Sequence, residues 1–200
     1  MPYHDLTRIA RAMLVACVPT ADATRGPVYR RGAPWRSRLC SADEGGELLT
    51  IGGTVTGFGD CRPIVSATLD IWQTNARGWY SNMLGLQNPS QRGAFNLRGR
   101  IRSNDQGRFE FYSVVPGRYP FPWPLTRPKH IHLIVTHADY EPLTTQIYFA
   151  GDEYNQRDPW WDPALTIHLA DDTVAGSGRP RRRGVFDITL LPRSSQPATT

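Results

Sequence analysis

Apolar and polar residues alternate along this chain in short bursts, separated by turn-forming residues. Eight stretches carry the pattern: 48–55, 64–72, 97–101, 109–115, 131–135, 144–149, 165–169 and 185–191. Side chains on a strand alternate between two faces, so such runs predict half-buried strands. Turn signals lie between most of them, as in Asn104-Asp105-Gln106-Gly107. Helical periodicity occurs once, over 4–16, where Leu6, Ile9, Ala10, Met13 and Leu14 share one face. About eight short strands with no helices between them predict an all-β chain, a β-sandwich. Ahead of the strands, 18–46 is a long irregular arm rich in Pro, Gly and Arg. An arm of this length is expected to pack against something or to serve the function. The predicted organisation is a helix and arm over 1–46, a β-sandwich domain over 47–193, and a loose tail over 194–200.

Composition supports one domain. The 200 residues include 18 Gly and 17 Pro, with 40% hydrophobic and 20% charged residues. The net charge is +5, carried almost wholly by arginine, with Lys129 the only lysine. A basic cluster such as Arg179-Pro180-Arg181-Arg182-Arg183 would suit nucleic acid, but no nucleic-acid-binding motif accompanies it. It reads as a solvated or subunit-facing surface. Cys17, Cys40 and Cys61 are odd in number, widely spaced and without a C-x-x-C, which predicts reduced thiols in a cytoplasm. Leu14-Val15-Ala16-Cys17 resembles a lipoprotein cleavage site, yet the apolar run before it is short and Asp5 sits in the would-be basic region. No stretch is long enough to span a membrane as a helix.

The chemistry concentrates between Pro116 and His132, in PGRYPFPWPLTRPKHIH. Its prolines exclude helix. His130-Ile131-His132 then opens a predicted strand, so both imidazoles fall on one face and Ile131 on the other. Two imidazoles on one face are half of a metal site; a hydrogen-bonded or exposed pair is the plainer alternative. Taken singly, Tyr80 and Tyr119 are partly buried aromatics, Arg127 a surface or carbonyl-binding arginine, Gln146 a strand residue and Trp72 core. His4, His137 and His168 match no ligand motif.

Four ordered motifs change this. IWQTNARGWY, GRFEFYSVVPGRYP, RPKHIH and TQIYF followed by GD together resemble the intradiol ring-cleavage dioxygenases, notably the protocatechuate 3,4-dioxygenase subunits and single-domain relatives. The likeness runs from about Thr20 to Leu190. It implies one non-haem Fe(III) per chain, held by Tyr80, Tyr119, His130 and His132. It also implies that Arg127 and Gln146 line the pocket of a catecholic substrate, and that Tyr119 gives way when the catechol binds. Two phenolates and a hydroxide would balance a trivalent ion, so no carboxylate ligand is needed. The implied reaction is cleavage between the two hydroxylated carbons by O2, giving a muconate-type diacid. The implied assembly is a homo-oligomer or a pairing with a related second subunit. The chain departs from the family at Arg25, where the family's arm often carries an acid, and at Trp79 before the ligand tyrosine. It also lacks the length for the helical linker domain of the longer catechol and hydroxyquinol enzymes. The alternatives are a non-catalytic sandwich that binds ligands, and an H-x-H zinc or Fe(II) enzyme. The second leaves both tyrosines without a role.

Overall fold

In the computed structural model, the described residues are 17–81, 95–120, 124–172 and 178–194. The predicted helix over 4–16, His4 and nearly all of the predicted tail lie outside them. Twelve strands follow in order: β1 (Leu48–Gly57), β2 (Thr68–Gln73), β3 (Arg98–Arg102), β4 (Arg108–Val114), β5 (Tyr119–Pro120), β6 (Thr126–Arg127), β7 (His130–His137), β8 (Tyr140–Phe149), β9 (Thr166–Ile167), β10 (Ala170–Asp171), β11 (Arg181–Val185) and β12 (Ile188–Leu190). Among the described residues the only helical turns are two short 3-10 pieces, Asn155–Arg157 and Pro163–Leu165. The all-β sandwich is as expected.

Two five-stranded sheets form the sandwich. One runs β10-β11-β1-β12 with β4 on the other side of β1; the second runs β3-β2-β7-β8-β9. The alternation explains why they meet. Leu69 and Ile71 of β2, Ile131, Leu133 and Val135 of β7, and Leu143 and Ile147 of β8 all enter one core cluster. So do Leu49, Ile51 and Val55 of β1 and Phe109 and Phe111 of β4. Burying a side chain of this size contributes about 1.5–3 kcal/mol.

Four expectations change. The strand over 165–169 keeps only Thr166–Ile167, because Leu165 closes a 3-10 turn. The single strand over 185–191 is two strands, both parallel to β1 on the same edge. Between them the Asp187 carboxylate accepts the Thr54 amide at 2.9 Å, doing the work of a ladder bond. The strand over 64–72 begins only at Thr68, because Ser66 is left-handed at φ 60° and turns the chain. The cysteines are not all reduced: Cys17 and Cys61 form a disulfide, leaving Cys40 free and buried. Their separation of 44 residues gave no local spacing signal.

The arm is bound along its length. Thr20 exchanges hydrogen bonds with Thr189, and the Ala23 amide donates to the Thr144 carbonyl at 2.7 Å. Farther on, the Arg36 guanidinium donates to the carbonyls of Phe95, Leu39 and Arg98. The arm thereby covers the outer face of the second sheet, where the polar residues of β2, β7 and β8 point.

Candidate metal centre

That outer face is written into the strand register. Trp72 of β2 lies opposite His132 of β7, and His132 opposite Gln146 of β8. His130 lies opposite Tyr148 in the next row. Residues directly opposite on one face approach within about 5.5 Å, so neighbouring strands alone assemble a polar patch around the H-x-H pair. Trp72 is buried in a hydrophobic cluster with Tyr80 and Tyr119, and its ring also stacks on His132, with centroids 4.8 Å apart and planes 2° from parallel.

Two loops bring the tyrosines. The Asn75 side chain accepts the amides of Arg77 and Trp79, which folds the turn that delivers Tyr80. The approach to Tyr119 crosses this turn closely. A Cβ on Gly78 would meet the Arg118 carbonyl at 1.9 Å, and one on Gly117 would meet the Gly78 nitrogen at 2.4 Å. Only glycine at both positions allows that crossing. Tyr119 then pairs with Arg127 across the β5–β6 ribbon.

The four expected ligands converge. Nε2 of His130 and Nε2 of His132 are 3.1 Å apart, and the Tyr80 hydroxyl is 3.1 Å from the second and 3.4 Å from the first. The Tyr119 ring meets the Tyr80 ring edge-on, with centroids 5.2 Å apart, and its centroid lies 5.6 Å from that of the His130 ring. Tyr80 and His132 are 0% exposed, His130 2% and Tyr119 3%. The Pro128 carbonyl, which can only accept, lies 2.7 Å from His130 Nδ1. That nitrogen must therefore carry the proton, leaving a bare lone pair on Nε2.

Electrostatics point the same way. Burial and the Arg127 guanidinium push His130 down to about 3. Burial, then His130 and Arg127, push His132 well below the usual range. Burial, reinforced by Tyr119, raises the Tyr80 phenol well above 10. Burial also raises Tyr119, with Arg127 opposing it. The pocket thus holds neutral imidazoles, with the bare Nε2 of His130 beside His132 Nε2 and the Tyr80 oxygen. Donors about 2.0–2.1 Å from one ion sit about 2.9–3.4 Å from each other in tetrahedral or right-angled geometry. The three measured separations fall in that range, so this donor set fits a metal ion. Among the described residues no group of three His, Cys, Asp or Glu could hold one. The oxygens beside the two imidazoles are those of tyrosine.

Arg127 and Gln146 stand beside the cluster. Arg127 Nη2 donates to Gln146 Oε1 and to the Tyr148 hydroxyl, each at 2.9 Å. Its Nε donates to Asp158 at 2.7 Å, and the Trp160 ring packs on the guanidinium at 4.8 Å. Gln146 Nε2 donates to the Thr24 carbonyl at 2.6 Å, tying the arm to the site. Gly26, next along the arm, faces His132: a Cβ there would lie 3.4 Å from Cε1. The sequence reading singled out neither Tyr148 nor Asp158. Tyr148 was legible as the same-face neighbour of Gln146. Asp158 has no such signal, being an acid in a loop of other acids.

Comparison with known proteins agrees with this geometry. The family profile described as Dioxygenase matches residues 24–191. The chain is 34% identical over 174 residues to the intradiol ring-cleavage dioxygenase prcA of Aspergillus niger, an alignment covering 78% of this chain and 51% of that protein. It is 32% identical over 161 residues to the chlorocatechol 1,2-dioxygenase of Rhodococcus opacus, covering 70% and 60%. It therefore spans roughly half to three-fifths of the length of these curated relatives. Among solved structures, the dioxygenase domain of a dioxygenase carbohydrate-binding protein fusion from Streptomyces sp. SirexAA-E superposes with a TM-score of 0.71 at 33% identity, covering 87% of this chain and 99% of that one. The 3-chlorocatechol 1,2-dioxygenase of Rhodococcus opacus 1CP gives 0.78 at 29% identity, covering 89% and 75%. A β-sandwich with a buried tyrosine–histidine cluster on its outer face defines a class, and this chain belongs to the intradiol ring-cleavage dioxygenase family.

Proposed function

We propose that this chain is an Fe(III)-dependent intradiol dioxygenase, binding one iron through Tyr80, Tyr119, His130 and His132 and opening a catecholic ring between its hydroxylated carbons with O2. The observation that carries the reading is the 3.1–3.4 Å triangle of Tyr80 oxygen and two histidine Nε2 atoms. Phenolate is a hard anionic donor suited to a hard trivalent ion, and two tyrosines favour iron over zinc or an Fe(II) carboxylate site. Bound iron would supply Lewis acidity and a template for the catechol. It would also hold the phenols deprotonated, against the burial that raises them.

The remaining work falls to the chain. Burial excludes water from the cluster. The His130 bond to the Pro128 carbonyl keeps its lone pair aimed inward. Arg127 supplies a fixed positive charge where the ring gains negative charge, an effect that grows in a dry site. Tyr119 would be the metal donor that gives way when a catechol binds. It lies on a two-residue strand that pairs with Arg127 on β6, so the guanidinium charge lies close to it. Gln146 holds the arm against the site through Thr24.

For the substrate we propose a substituted catechol, protocatechuate included. Arg25 stacks over Tyr29, which packs on Trp72, so a guanidinium at this rim suits an anionic ring substituent. The disulfide also changes the proposed setting. Such bonds persist in oxidising compartments, which argues for operation outside a reducing cytoplasm.

The test is direct. The purified protein should hold about one iron per chain, show a red to burgundy visible band, and place two atoms of 18O2 in a muconate-type product. Stoichiometric zinc and no visible band would overturn the reading.

A further inference from the structure

The loop after β8 carries two buried carboxylates, and each reaches a different part of the site. The Asp152 carboxylate accepts from Arg118 Nε at 3.0 and 3.2 Å and from the Lys129 amide at 3.0 Å. One side chain thereby ties down the residue before Tyr119 and the residue before His130. Asp158 reaches Arg127 instead. Its side chain is 0% exposed, with Oδ2 accepting from Arg127 Nε at 2.7 Å and Oδ1 accepting the Trp160 amide at 3.1 Å.

The other partners of Arg127 are neutral. Gln146 Oε1 and the Tyr148 hydroxyl accept from Nη2. The single proton of Tyr148 is shared between Gln146 Oε1 at 2.8 Å and the Trp160 carbonyl at 3.0 Å. A guanidinium is a rigid plane, and partners on both Nε and Nη2 stop it turning about Cδ–Nε. Asp158 is the one anion among them, and a charge-assisted bond is about twice as strong as a neutral one. It also balances a buried positive charge beside a cluster suited to a cation. We propose that Asp158 is a positioning residue, which sets the plane of Arg127 so that the guanidinium faces the Tyr119 hydroxyl and the reacting ring. This rests on the reading that Arg127 stabilises negative charge on a catechol.

The test is a double-mutant cycle in the iron-loaded protein, with Asp158→Asn and Asp158→Ala each made alone and together with Arg127→Ala. Iron per chain, kcat, KM and the affinity for 4-nitrocatechol, followed by its visible spectrum, are measured for each. Asp158→Asn should keep its iron and lower kcat by between about 10- and 100-fold with KM little changed, as other outer-sphere partners do. On the Arg127→Ala background it should cost nothing further in kcat or in affinity, and Asp158→Glu should recover part of the loss. Losses that multiply across the two sites would overturn the proposal. So would iron content that falls in step with kcat, which would mean that Asp158 merely holds the fold. If the wild type opens no catechol ring, the functional reading fails by itself, and the cycle in 4-nitrocatechol affinity decides the role of Asp158. Asp158→Asn carries the test if the alanine variant does not fold.

Discussion

The two faces of the β2-β7-β8 layer are built from alternate residues of the same strands, yet they are held by different physics. The inner face, with Ile131, Leu133 and Val135, is apolar and meets another sheet. Such packing is non-directional and tolerates change provided volume is kept. The outer face, with His130, His132, Gln146 and Tyr148, is polar and equally buried, because the arm and three loops close over it. Every group there needs a partner in a particular direction. A fold can absorb loss on the inner face as loss of stability. On the outer face a lost atom removes a specific task.

The sharpest break between the faces is Tyr80→Phe. Only an oxygen is removed, so the fold should survive, while the visible band and most of the bound iron should vanish. A Tyr80→Phe protein with full iron and an unchanged visible band would mean that Tyr80 is not a ligand.

Next in size is the disulfide, which anchors the start of the arm that covers the outer face. Its 44-residue separation corresponds to about 4 kcal/mol in the chain-entropy view. Denaturant titration with and without reductant should show a loss of that order, and Cys17→Ser should reproduce it. Equal stability in both conditions would sink the assignment of the bond as an anchor.

Leu133→Ala probes the inner face at a 0% exposed position. It should cost about 2–5 kcal/mol of unfolding free energy. The folded fraction should keep its iron and its colour; a selective loss of iron would show that the two faces are coupled more tightly than their packing suggests.

The smallest effect is expected at Gly26, where the arm touches the site at φ 67°. Gly26→Ala should cost about 1–2 kcal/mol for the left-handed backbone. Its new methyl, 3.4 Å from His132 Cε1, should shift the visible band without abolishing it. An unchanged spectrum would place the arm farther from His132 than this geometry has it.

The same contrast explains what was legible beforehand. The inner face could be read because alternation is a local signal, and H-x-H on one face followed from it. Tyr80, Tyr119, Arg127 and Gln146 were reached through the likeness of four motifs to a family, not through spacing. Trp72 is buried as expected, but only its register opposite His132 shows that it is also a stacking partner in the site. Asp158 was missed because nothing local separates it from Asp152 or Asp162. The Cys17–Cys61 bond was not legible, because a pairing across 44 residues leaves no pattern between them.

By itself the sequence determined the elements and their faces: β-strands from period-two alternation, turns from Gly, Asn and Asp, and two histidines on one face of a strand. Those are properties of neighbouring residues, set by backbone sterics and by burial of one face. Tertiary structure alone decided which strands lie side by side, that the arm roofs the site, that Cys17 meets Cys61, and that Asp158 rather than another acid meets Arg127. The physical reason is range. Hydrogen bonds and ion pairs act over about 3 Å and need a particular direction. Which distant groups come that close follows only from how the whole chain closes around its core.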